Sequence, residues 1–213
     1  MKLISVNVST PKTVDHEGRR VTTGIYKEPV AGRVMVRKLN VDGDGQADLS
    51  VHGGVDKAVH VYDLESFRYW KRELGRDDLV HGHFGENFTV EGMPDDQIHI
   101  GDVFRIGGAT LEVTQPRTPC FKLEMKMGLP GFSRQFVTSG RVGFYFRVLE
   151  EGEVGAGDPI ERVQVGPEQI TVREFTRLFY FDYDNQEKIR RVLRISSIPI
   201  EWRRTFEKLL NKQ

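Results

Sequence analysis

Through about residue 165 the chain is cut into short alternating apolar runs, each closed within a few residues by Gly, Asp or Pro. This spacing constrains the fold most, because period-two alternation places one strand face in a core and the other in water. The runs fall at 3–8, 33–39, 58–61, 87–90, 103–106, 110–115, 143–149 and 159–163. Strands so short, with glycine-rich turns between them, predict a mainly β, α+β fold built on a closed or strongly bent sheet. A barrel is expected rather than a parallel α/β fold. One helix is expected over Leu64–Leu74, with Leu64, Phe67, Lys71 and Leu74 on one face and Gly75 as its stop. A weaker helix is expected at 131–137, between Pro130 and Gly140.

After Val165 the pattern changes. Gly166-Pro167 punctuates the chain, and three amphipathic helices are expected beyond it. Thr171 and Glu174 form a capping box for a helix reaching about Phe181. Asp184 and Glu187 start the second, which carries Ile189, Val192 and Leu193. Ser197 and Pro199 open the third, with Trp202, Phe206, Leu209 and Leu210 on its apolar stripe. Two domains are therefore expected, a β-barrel domain at 1–165 and a three-helix domain at 166–213. Three short helices also suggest a helix-turn-helix, but residues 166–213 carry 10 Lys/Arg against 7 Asp/Glu, a net of +3. That is weak for a phosphate-reading surface. Packing on the barrel or on a second subunit is the expected use, with a homodimer as the commonest assembly and no specific nucleic acid.

Charge and cysteine usage exclude several functions. Lys plus Arg and Asp plus Glu both count 31, so nothing draws the whole chain to nucleic acid or to an anionic membrane. No apolar run approaches the ~20 residues of a membrane helix. The first residues alternate like a strand instead of forming a signal peptide, so a cytoplasmic protein is expected. A single cysteine rules out internal disulfides, clustered-thiolate zinc and a cysteine-ligated iron–sulfur centre within the chain.

That cysteine, Cys120, lies in Gln115-Pro116-Arg117-Thr118-Pro119-Cys120-Phe121. The prolines stiffen the loop, and Arg117 lowers the cost of the thiolate, the form that attacks electrophiles and binds soft metals. On these residues alone a functional thiol, as metal ligand or nucleophile, and a small buried hydrophobe weigh about equally. Asp42-Gly43-Asp44 opens like a calcium loop, but Ala47 and Gly53 stand where the loop needs glycine and glutamate. In His52-Gly53-Gly54 through Lys57, paired glycines let amides approach an anion while His52 and Lys57 supply charge. A tight turn with a solvated lysine is the simpler reading of that segment by itself. His60, on an apolar strand, reads as a core histidine. Thr23 and Lys27 lie in an extended piece before Pro29, and Asn87 opens a strand with an amide that donates and accepts. His81 and His83 lack a third metal ligand at suitable spacing and read as a loop.

Taken in order, Thr-Gly-Ile-x-Lys, Gly-Asp-Gly-Gln-Ala-Asp-x-x-Val-His-Gly-Gly-x-Asp-Lys-Ala-Val, Gly-Glu-Asn-Phe, Ile-Gly-Asp-Val-Phe-Arg-Ile-Gly and Arg-x-Pro-Cys resemble the MOSC domain. With the helical tail, the resemblance extends to the YiiM type, in which a three-α domain comes after the MOSC domain. It implies a bent β-barrel binding the molybdenum cofactor (molybdopterin), with Cys120 as the molybdenum ligand and catalytic residue. Arg117, His52, Lys57, Lys27, Thr23, Asn87 and, as a lesser contributor, His60 would hold the cofactor. The implied activity is reduction of N-hydroxylated bases or amidoximes, with a separate electron-donor reductase as partner. Sulfur transfer through a Cys120 persulfide and carriage of the cofactor without turnover stay open beside it.

Overall fold

The structure is a computed structural model that describes residues 1–47 and 53–211. The first strand, β1 (Lys2–Val8), slips at a bulge between Leu3 and Ser5, which buries Ser5, Val6 and Asn7 in succession. Next in the chain is a hairpin of β2 (Lys12–His16) and β3 (Arg19–Thr23), turning through Glu17 and Gly18 at φ of 51° and 74°. Then come β4 (Glu28–Pro29), β5 (Arg33–Val36) and β6 (Val59–Asp63). Helix α1 (Leu64–Leu74) crosses over to β7 (Phe88–Glu91), which pairs parallel to β6. The remaining strands are β8 (Val103–Ile106), β9 (Ala109–Pro116), β10 (Phe144–Glu150), β11 (Gly152–Gly155) and β12 (Ile160–Gln164). They form an eight-stranded sheet in the order β12-β8-β9-β10-β6-β7-β1-β4, with β5–β11 and β2–β3 as separate pairs.

The expected barrel is corrected to an open sheet within a mixed α+β fold. Its two ends approach through backbone hydrogen bonds from Leu3 N to Asp158 O at 2.9 Å and from Ile160 N to Met1 O at 3.0 Å. They meet at an isolated Lys2–Pro159 bridge, not along a ladder. Proline explains the stop. Pro159 has no N–H to extend pairing beside β12, and the edge strand β4 is two residues long and ends on Pro29.

Asp63 caps α1 by accepting from Glu65 N at 2.8 Å, and Gly75, at φ 59°, ends it in the left-handed conformation, as the sequence implied. The expected face meets the core, with Phe67 buried and Leu64 and Leu74 packed against it; Trp70, not expected there, is buried as well and meets Phe132 with ring centroids 4.8 Å apart. Two short helices connect β9 to β10. The first, α2 (Phe121–Met127), has no counterpart in the sequence reading; the second, α3 (Phe132–Ser139), matches the weaker segment.

The tail forms α4 (Val172–Tyr180), α5 (Gln186–Arg194) and α6 (Ile200–Leu210). The Thr171–Glu174 capping box is present, whereas α5 is capped by Asn185, whose side chain accepts from Lys188 N at 3.0 Å, and not by Asp184. Phe175, Leu178, Ile189 and Phe206 join the same buried cluster as the sheet residues. Polar ties fix the tail to the sheet: Trp202 Nε1 donates to Gln115 Oε1 at 2.7 Å, and Arg147 Nη2 to Ser197 O at 3.3 Å. Among the described residues no helix is long and apolar enough to cross a membrane.

Candidate functional site

A small cavity of about 100 Å³ opens where the turn after β3, the loop at 44–47, β6, the entry to β7 and the segment before α2 converge. Thr23, Lys27, Lys57, His60, Asn87, Arg117 and Cys120 all line it, so residues spread over nearly a hundred positions share one site. His52 lies outside the described residues. Sequence reasoning missed Asp44, Lys122 and Tyr145, which also line the cavity.

Backbone crowding shapes the walls. A Cβ on Gly24 would sit 2.4 Å from Gly45 O, one on Gly82 2.4 Å from Lys27 O, and one on Gly143 2.4 Å from Val61 O. Only glycine permits these approaches, and each brings a polar segment to the cavity. Lys126 ties two of them together by donating to Ile25 O at 2.8 Å and Gly82 O at 2.6 Å.

The acidic half of the supposed calcium loop has another role. Asp44 is buried and ion-paired to Lys27; it accepts from Asn87 Nδ2 at 2.9 Å and from Ser9 N at 2.9 Å. Asn87 is fixed in turn, since its Oδ1 accepts from His60 N at 3.1 Å and its N donates to His60 O at 2.8 Å. Burial lowers the Lys27 pKa, and Asp44 opposes that shift and keeps a cation at the wall. Nearby, the buried Glu86 accepts from Phe84 N at 3.1 Å and Thr89 Oγ1 at 2.8 Å; burial raises its pKa.

His60 faces Tyr145 across the β6–β10 ladder, their ring centroids 5.1 Å apart. Burial first, and then the Arg117 cation, hold the His60 pKa well below its usual value, so its ring is neutral. Arg117 is itself buried. Its main chain donates to Gly143 O at 3.0 Å, and its guanidinium lies 5.3 Å from the Phe136 ring centroid. Burial raises the Tyr145 phenol pKa while Arg117 pulls it down.

Among the described residues lining this cavity, two side chains carry a buried atom with no hydrogen-bond partner: His60 Nε2 and Arg117 Nη1. A guanidinium N–H buried without an acceptor is costly, so a wall holding one beside a neutral imidazole and two lysines suits an oxyanion-bearing ligand. Cys120, half-buried, stands at the residue before the first turn of α2 and lines the cavity mouth. Among the described residues no group of three or more His, Cys, Asp or Glu side chains is placed to hold a metal ion. A metal at Cys120 would therefore arrive with ligands of its own.

A second, larger cavity of about 340 Å³ adjoins the first. It shares Lys57, Cys120 and Tyr145 with it and is lined on one side by residues of α4 and α6.

Comparison with known proteins finds two family matches on the chain. Residues 48–161 match the MOSC domain and residues 170–213 the YiiM-like, 3-alpha helix domain. YflK of Bacillus subtilis is 42% identical over 97% of this chain and 93% of its own length. The crystal structure of YiiM from Geobacillus stearothermophilus superposes with a TM-score of 0.84 at 36% identity, covering 98% of both chains. A Gibberella moniliformis protein named a reductase is 35% identical over 69% of this chain, which spans 27% of that larger protein.

Proposed function

The chain belongs to the MOSC domain family and carries the YiiM-like three-helix domain; on that premise we propose that it binds the molybdenum cofactor and reduces N–O bonds. The supporting observation is the pair of unsatisfied buried polar atoms, Arg117 Nη1 and His60 Nε2, beside Cys120 in one cavity. A phosphate-bearing, thiolate-accepting group would satisfy both atoms and take Cys120 as a ligand. Arg117, Lys27 and Lys57 would meet the cofactor's negative charge, with Thr23, Asn87 and His60 as neutral hydrogen-bonding partners. Cys120 would be the protein's ligand to molybdenum, a soft donor for a metal already held by sulfur. His52 is assigned to the same anion-holding group on the family resemblance.

When bound, the cofactor supplies the oxygen-accepting, two-electron chemistry of the reaction. The net reaction converts R–NH–OH, two electrons and two protons into R–NH₂ and water, the electrons coming from a separate reductase. The chain's own residues do the rest. Arg117 and Lys27 fix the anionic end, and the Asp44–Asn87–His60 hydrogen bonds keep that wall rigid. Neutral His60 can donate or accept a hydrogen bond without adding charge to a site already rich in cations. Lys57 and Lys122, which also line the cavity, would attract anionic groups toward Cys120.

The test is metal content and turnover on protein from a cofactor-producing host. Wild-type protein is expected to carry molybdenum and, with an artificial reductant, to reduce an N-hydroxylated purine or benzamidoxime. Cys120→Ser is expected to do neither while unfolding at the wild-type temperature. Full metal loading with no reduction across several N–OH substrates would overturn the reading, and cyanide-releasable sulfur on Cys120 without metal would favour sulfur transfer.

A further inference from the structure

The larger cavity differs in chemistry from the smaller. Its walls on the helical side are Phe179, Glu201, Trp202 and Thr205, none of which the proposed cofactor site uses. Trp202 is anchored in place. Its indole N–H donates to Gln115, and the rings of Phe175, Phe179 and Phe206 surround it at 5.1, 4.7 and 5.9 Å. A ring held this way presents a fixed flat apolar surface at little entropic cost.

Glu201 and Thr205, one turn apart on α6, add polarity beside that surface. The Glu201 carboxylate only accepts when ionised; the Thr205 hydroxyl donates to Glu201 O at 2.8 Å and keeps its lone pairs for a ligand. The α6 side of this cavity therefore offers acceptors next to an aromatic plane, whereas the smaller cavity is walled by cations. A volume of about 340 Å³ lies at the low end for small-molecule sites, room for a fused bicyclic ring and little more.

Resting on the reductase reading, we propose that the three-helix segment is the specificity element of the site. Trp202 and Phe179 form the stacking wall, and Glu201 and Thr205 accept from ring or amino N–H groups of a planar nitrogen heteroaromatic. That substrate occupies the larger cavity with its reactive nitrogen toward Cys120, and the anionic cofactor occupies the smaller. Trp202 and Glu201 discriminate among substrates; they take no part in bond cleavage.

The probe is 2-aminopurine, whose fluorescence falls on stacking, titrated into the purified protein with and without bound cofactor. Wild type is expected to quench it saturably, with displacement by adenine and not by acetamidine. Trp202→Leu is expected to weaken binding about 5- to 100-fold, the range for loss of one base-stacking contact, and Trp202→Phe to restore most of it. Glu201→Gln, at an exposed position that packing does not need, is expected to weaken binding about 3- to 10-fold with unchanged thermal unfolding. No saturable quenching by either form of the wild type, or wild-type affinity in both Trp202→Leu and Glu201→Gln, overturns the proposal. The two readings fail separately. Stacking lost in Trp202→Leu with no reduction by loaded wild type sinks the reductase alone, while turnover with an unchanged aromatic-over-aliphatic preference in that variant sinks the wall alone.

Discussion

Replacing Asp44 by Ala tests whether the buried ion pair holds the anion-binding wall together. The side chains of Lys27 and Asp44 are 8% and 1% exposed. Truncation removes the carboxylate paired with the buried lysine ammonium, takes an acceptor from Asn87 Nδ2, which keeps only Asn7 O at 3.3 Å, and leaves Ser9 N without its Asp44 partner. Breaking a buried pair by removing one member costs about 3–5 kcal/mol. The stranded neutral donors overlap with that cost, since the loop can relax to hydrate them, so about 4 kcal/mol is the working figure. For a chain of this size that lowers Tm by roughly 8–16 °C. Thermal and urea unfolding of Asp44→Ala and Lys27→Met are then compared with those of Asp44→Leu/Lys27→Met. The double variant removes both charges and leaves apolar groups of similar size, so it is expected to recover at least half of the loss. A double variant as unstable as Asp44→Ala, or an Asp44→Ala protein within about 1 kcal/mol of wild type by the same unfolding measurement, would show that the pair does not stabilise the wall.

Other parts of the site lead to further expected outcomes. Inorganic phosphate is expected to raise the Tm of cofactor-free protein and to lose that effect in Arg117→Gln; an unshifted wild type would remove the anion site. Gly143→Ala, at φ 72° with its Cβ 2.4 Å from Val61 O and 2.8 Å from Tyr62 Cδ2, is expected to destabilise the chain by about 2–5 kcal/mol in urea titration. Burial lifts Asp95, which accepts from Val142 N and Gly143 N, to about 7. Between about pH 4 and pH 7 the folded chain keeps a proton the unfolded chain has released, so stability falls as pH rises, by up to about 1.4 kcal/mol per unit. Asp95→Asn keeps an acceptor and is expected to flatten that slope; an unchanged slope would assign the pH dependence elsewhere.

Much of the site was legible because its residues sit in ordered, glycine-marked motifs. Lys57, Asn87, Lys27 and Thr23 stand in such motifs, while Cys120 and Arg117 stand in a proline-bounded loop. Their convergence was not legible from local pattern, since it depends on pairings between distant strands. Tyr145 reaches the cavity only because it stands opposite His60 in the β6–β10 register. Asp44 was read against a calcium template it failed, and nothing local says that its partner is Lys27. The openness of the sheet was missed for a related reason: alternation reports strands, while closure depends on what the edges meet, here Pro29 and Pro159. The β2–β3 hairpin did carry a signal, Glu17-Gly18 between two five-residue runs, but its charged faces hid the alternation. The short helix α2 was obscured by the prolines before Cys120, which bias the backbone on their N-terminal side toward extended structure and say little about the residues after them.

The single bridge where the sheet's ends meet bears on how the chain is made. The first strand pairs locally only at its end, where Asn7 and Val8 meet Glu28–Pro29; its longer ladder forms with Phe88–Glu91, and Lys2 meets Pro159 last. During synthesis the first half of β1 therefore emerges long before either distant partner exists, with only its C-terminal end held by β4. Contacts this distant along the chain slow folding and lengthen exposure to aggregation. The final fastening also falls just before the chain enters the helical tail, so the sheet is sealed at about the moment α4 becomes available to cover it.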